Sequence, residues 1–173
     1  MNFQKQEFLL DHIKEIISFY HPRCIDKELG GYIHQFHDDG SIDDPMTKHL
    51  VGTCRFIYIY SISYITFKDP EYKDAAELGL KFLREAHQQP DGGFAWLLNG
   101  KQVKDDTRYC YGHAFVLLAA AVATKYPFIH QRYSDLPGFA SSCGDSTLRR
   151  RRRVGDGDSE PLLSTNRGCG RRS

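Results

Sequence analysis

Four side chains stand where chemistry has more use for them than packing does: Arg55, Lys48, Tyr111 and His113. Arg55 lies in Thr53-Cys54-Arg55-Phe56-Ile57-Tyr58, a permanently charged guanidinium among apolar neighbours. Such a charge needs a partner, either a carboxylate from a later helix or a ligand. Lys48 lies seven residues before Arg55, on the same face if the segment is helical, at what is then the mouth of the helix. Simple exposure is the plainer explanation of a lysine there. Tyr111 and His113 interrupt a run that is otherwise Ala, Phe, Val and Leu. Two steps along a helix turn the side chain by about 200°, so the two cannot point into one cavity. Histidine is a residue type suited to acid–base work, but a lone histidine in an apolar run such as His113 is more simply a core residue. The aspartate pairs 43–44 and 105–106 suit a glycosidase acid/base couple, or more simply the capping of helices. Gly30-Gly31 and Gly92-Gly93 are not phosphate loops, because neither belongs to a GxGxxG or GxxxxGK[ST] pattern that follows a strand.

The elements that must hold these residues form an internal repeat. Gly30-Gly31-Tyr32 returns as Gly92-Gly93-Phe94, and Asp43-Asp44 as Asp105-Asp106, both after 62 positions. The same offset carries His49 onto Tyr111. Each unit reads as a helix, a Gly-Gly-aromatic turn with short extended segments, a di-aspartate and a second helix. The first helix, about 3–20, sets Leu9, Ile13, Ile16 and Tyr20 on one stripe, and the third, about 70–87, starts with Asp69 as N-cap and Pro70 at its first position. In the third, Ala75, Leu78, Phe82 and Ala86 point inward. The second, about 45–67 with Asp44 as its cap, and the fourth, about 108–124, are apolar almost all round. A helix with no polar face must be covered on every side. Half-exposed helices alternating with covered ones imply two concentric layers. The fold class is therefore all-α: an (α/α)6 toroid of which residues 1–125 supply the first two helical hairpins, with short β-turn segments. Polar residues on the inner helices then line the central cavity.

After Lys125 the chain changes character. Residues 1–125 hold 14 basic and 17 acidic side chains and residues 126–173 hold 9 and 5, so charges of −3 and +4 cancel to the net +1. No lysine follows Lys125 and no isoleucine follows Ile129, while Arg149 to Arg153 form an unbroken basic run. Residues 126–173 accordingly read as an Arg/Gly/Ser-rich disordered tail, of the kind that a shifted reading frame produces. Nucleic-acid contact is the functional alternative for the arginine run, although no aromatic residues interleave it. The five cysteines contain no CxxC pair, so neither zinc nor a disulfide scaffold is expected. No stretch is expected to be apolar for the roughly 18 residues that a membrane span requires, the longest being Ala114 to Ala123, and no secretory signal opens the chain. The expected location is the cytoplasm.

Lys48-His-Leu-Val-Gly-Thr-Cys-Arg55 and Arg108-Tyr-Cys-Tyr-Gly-His-Ala-Phe-Val-Leu-Leu-Ala-Ala-Ala121, with Gly92-Gly93-Phe94 between them, resemble the N-acylglucosamine 2-epimerase superfamily. The second motif is most similar to the mannose isomerase branch, and the resemblance covers about residues 3–125. It implies an (α/α)6 toroid and proton transfer, without cofactor or metal, at the carbon beside a sugar's carbonyl, carried out by two histidines. The family's inner-helix arginine corresponds to Arg55, a catalytic residue that would stabilise the developing oxyanion, and its tyrosine to Tyr111, which would bind the sugar. His113 and Lys48 are carried as further substrate-binding candidates. A small-molecule sugar substrate is implied, with neither nucleic acid nor membrane as partner, and a homodimer for full-length members. The family's catalytic histidines lie on later hairpins; His130 is the sole histidine after His113 and stands in no family motif. The chain as written is therefore expected to be truncated and inactive. An α/α-toroid glycoside hydrolase and a noncatalytic helical module with a basic tail are the competing readings.

Overall fold

A computed structural model of the chain describes residues 5–123. The expectations for the tail, 126–173, lie outside the described residues. Four α-helices dominate: α1 (Gln6–Tyr20), α2 (Leu50–Phe67), α3 (Pro70–Phe82) and α4 (Cys110–Ala123). The protein is mainly helical but not purely so. Strands β1 (Gln35–Phe36) and β2 (Ile42–Asp44) form a two-stranded antiparallel sheet, and β3 (Thr47–His49), β4 (Leu97–Asn99) and β5 (Gln102–Asp105) form a three-stranded one in the order β3-β4-β5. In the second sheet Lys48 pairs with Leu98, so the first repeat is stitched to the second.

The repeat is visible in the backbone. Tyr32 and Phe94, the aromatics of the two Gly-Gly turns, are both wholly buried, and each joins an isolated antiparallel bridge, Ile25 to Tyr32 and Gln88 to Phe94. Tyr32 donates its hydroxyl to Ala75 O on α3 at 2.7 Å. That approach needs Gly79 one turn on, where an added Cβ would lie 2.2 Å from the Tyr32 hydroxyl oxygen. Asp69 caps α3 as expected, accepting from Glu71 N–H at 3.0 Å, with Pro70 following it. The helix continues as a π-helical turn, Leu83–His87, which turns His87 fully into the core.

Three expectations need correction. The second helix begins at Leu50 rather than near residue 45, because 47–49 pair with β4; its N-cap is His49, whose Nδ1 accepts from Val51 N–H at 3.2 Å. Asp44 caps a turn instead, accepting from Met46 and Thr47 N–H, and Asp105 does the same for Thr107. One aspartate of each pair, Asp44 and Asp105, thus caps a turn, and the helix capping expected of them is not observed. Lastly, α2 has 18 residues at mean hydropathy 1.2, so among the described residues one helix is long and apolar enough to cross a membrane. Its Cys54, Ile57 and Tyr60 join Leu80, Leu83 and Val116 in the core, the packing of an interior helix.

The outward faces are informative as well. On α1 the expected inward stripe stands out, with Leu9, Ile13 and Ile16 exposed and Ile17 taking the core position. Ile59 and Ile62 of α2 and Leu117 and Leu118 of α4 are also exposed. Among the described residues, then, the apolar helices are covered on one side only.

Candidate active site

Arg55 and Tyr111 emerge on the same exposed surface, one from α2 and one from α4. The Arg55 guanidinium donates through Nη2 to the Tyr111 hydroxyl at 3.3 Å. Phe115, one helical turn beyond Tyr111, braces both: the guanidinium carbon lies 5.1 Å from the Phe115 ring centre, and the Tyr111 ring meets it edge-on at 5.0 Å. Among the described residues no carboxylate pairs with Arg55. Tyr111 is 55% exposed, which leaves its hydroxyl accessible.

Lys48 and His113 go elsewhere. Lys48 lies in β3, off α2, and is wholly buried, so neither a shared face with Arg55 nor an exposed position is observed. Its ammonium donates to Asp26 at 2.6 Å and to Tyr32 O at 2.9 Å. Burial raises the Asp26 carboxyl, but the Leu29 N–H, the Lys48 ammonium and the Glu28 N–H outweigh it and hold the group below the usual carboxylate range. His113 turns inward, as the 200° argument requires when Tyr111 turns out. Its Nε2 accepts from Phe94 N–H at 3.3 Å, so its Nδ1 carries the proton and donates to Tyr109 O at 3.0 Å. Both are engaged with the fold: Lys48 anchors the Gly-Gly turn, and His113 holds the second turn's aromatic.

Two further histidines flank Arg55. His34 Nδ1 accepts from His49 N–H at 3.1 Å, and His49 Nδ1 accepts in turn from Val51 N–H. A backbone N–H can only donate, so both rings carry their proton on Nε2. Burial first, then the Lys48 ammonium and the neighbouring His87 and His49, pushes the His34 imidazole down to about 3, and burial followed by Arg55 lowers His49. The His49 ring stands edge-on to Trp96 at 4.3 Å, and Trp96 leans on Tyr109 at 4.5 Å. His34 and Arg55 line one cavity of about 250 Å³ together with Ile16, Tyr20, Phe56 and Ile59.

His34, Trp96 and Phe115 were not singled out by sequence reasoning, but for the first two the repeat carried the signal. An offset of 62 takes His34 onto Trp96, as it takes His49 onto Tyr111. Among the described residues no group of three or more His, Cys, Asp or Glu side chains could hold a metal ion. Cys24 and Cys54 are buried thiols and Cys110 an exposed one.

The profile of the N-acylglucosamine 2-epimerase (GlcNAc 2-epimerase) family matches residues 31–136, and the chain belongs to that family. It is 47% identical over 123 residues to the D-mannose isomerase of Marinomonas mediterranea, covering 71% of this chain and 31% of that protein. It is 30% identical over 118 residues to the cellobiose 2-epimerase of Eubacterium cellulosolvens, covering 66% and 29%. A crystal structure of D-mannose isomerase superposes with a TM-score of 0.73 at 38% identity, covering 88% of this chain and 37% of that one. The chain spans about a third of the length of the curated relatives it matches.

Proposed function

We propose that this arc forms the substrate-binding wall of a sugar isomerase or 2-epimerase, within an (α/α)6 toroid. The observation that carries the reading is the Arg55–Tyr111 hydrogen bond, a polar couple held across two otherwise apolar helices. Family membership and the identity to a D-mannose isomerase support it. An aldose or ketose loses the proton beside its carbonyl, and negative charge builds on the carbonyl oxygen. Arg55 then stabilises that oxyanion with a charge already in place, while Tyr111 donates or accepts one hydrogen bond to the sugar.

The base lies outside the described histidines nearest the site. His34, His49 and His113 each spend their ring lone pair on a backbone N–H. His87 donates from Nδ1 to Ala95 O at 3.0 Å, which leaves Nε2 to accept from the Thr53 hydroxyl at 3.3 Å. A ring without a lone pair facing the substrate cannot accept its proton. Proton transfer is thus not the task of these four histidines.

The test is a chimera in which residues 5–123 replace the matching stretch of the Marinomonas mediterranea enzyme. Mannose supplied in heavy water should give a ketose or a C2 epimer, with deuterium at C1 or C2 and no requirement for added metal or nucleotide. A folded chimera that converts no sugar would refute the reading.

A further inference from the structure

The geometry points to His34 as a substrate-binding residue, a neutral Nε2–H donor that grips a sugar oxygen beside Arg55. This rests on the sugar reading above and adds a contact to it. Three observations converge. His34 and Arg55 line the same cavity of about 250 Å³, whose other walls include Ile16, Tyr20, Phe56 and Ile59, which suit the C–H faces of a sugar ring. The His34 proton is locked on Nε2, because Nδ1 already accepts from His49 N–H at 3.1 Å. And Nε2 is shielded from solvent with no acceptor among the described residues. A buried donor of this kind is costly to leave unmatched, and a site so built selects a ligand that supplies an oxygen.

The ring is fixed as well as polarised. It stacks on Phe56 at 5.9 Å between centres and 21° between planes, and it passes so close to Gly52 that an added Cβ would meet Nδ1 at 2.8 Å. Lys48 and His49, from the adjoining strand, and His87, from the π-helical turn, face it with positive or potentially positive charge; Arg55 faces it across the cavity. The imidazole therefore stays uncharged through the neutral range and acts as a donor rather than as a second cation.

Asparagine places an acceptor at the Nδ1 position and removes the Nε2 donor; glutamine restores a donor near Nε2. The experiment is a titration of the full chain, 15N-labelled at histidine and arginine, with D-mannose until the Arg55 side-chain signals cease to move. We expect His34 to show the Nε2–H tautomer before sugar is added, and its Nε2–H signal to shift together with Arg55. His34→Asn should weaken mannose about tenfold, and His34→Gln should recover most of that loss. If Arg55 responds and His34 does not, the contact is overturned and the sugar reading stands. If neither responds, the contact falls along with the sugar reading at this surface. Equal affinity in the wild type and His34→Asn would likewise overturn it.

Discussion

Lys48 illustrates how one residue can carry the right chemistry in the wrong place. Its spacing from Arg55 suggests a shared helical face, yet the pairing of β3 with β4 draws it inward to Asp26, where ammonium and carboxylate meet at 2.6 Å with side-chain exposures of 0% and 8%. A buried pair gives little net stability over an apolar substitute, whereas breaking it leaves a charge stranded. Lys48→Met should therefore cost on the order of 3 kcal/mol. Lys48→Met with Asp26→Asn should recover much of that, since the remaining amide can still accept from Leu29 and Glu28 N–H. Urea unfolding of the two variants decides the point. A double variant no more stable than the single one would show that Lys48 acts through its bond to Tyr32 O rather than through the charge pair.

Among the elements, the helices were the legible part. Amphipathic spacing and the Asp69-Pro70 start place α1 and α3 to within a few residues, because those signals are local. Strand β3 was hidden, since Thr47-Lys48-His49 gains its extended form from Leu97–Asn99, some fifty residues on, and nothing local to 45–49 contradicts a helix. The Gly-Gly-aromatic turns were seen as a repeat, but their task, to drive an aromatic plug between helices, belongs to packing. Gly30 and Gly31 both adopt positive φ, +83° and +70°. An added Cβ at Gly30 comes no closer than 3.6 Å to Phe82, whereas at Gly31 it would lie 2.6 Å from Phe82 Cγ. Gly30→Ala should thus cost about 1 kcal/mol from the backbone alone, and Gly31→Ala roughly 2–4 kcal/mol, because Phe82 must also move. Thermal melts that rank the two variants equally would remove Phe82 from the account.

For the molecule as a whole, the repeat and the two inner-helix motifs were enough to indicate the family, and Arg55 and Tyr111 do share one surface. The sequence could not show that the nearby histidines are donors only. That depends on which backbone N–H each ring meets, and so on β3 and the two Gly-Gly turns being folded. The exposed Ile62, Leu117 and Leu118 lie on the same two helices as Arg55 and Tyr111. In a closed toroid, the inner helices of neighbouring hairpins would cover that apolar surface and leave the polar couple facing the central cavity.

The central claim is that the Arg55 guanidinium, oriented by Tyr111, stabilises charge on the sugar. The measurement that tests it most directly is kcat/KM for mannose in the chimera carrying Arg55→Lys, compared with Tyr111→Phe. Lysine keeps the charge and loses the planar fork, so turnover should fall roughly 100-fold. Tyr111→Phe removes one hydrogen bond and should cost about 1 kcal/mol, a drop of about fivefold. Full activity in the Arg55→Lys chimera would contradict the account.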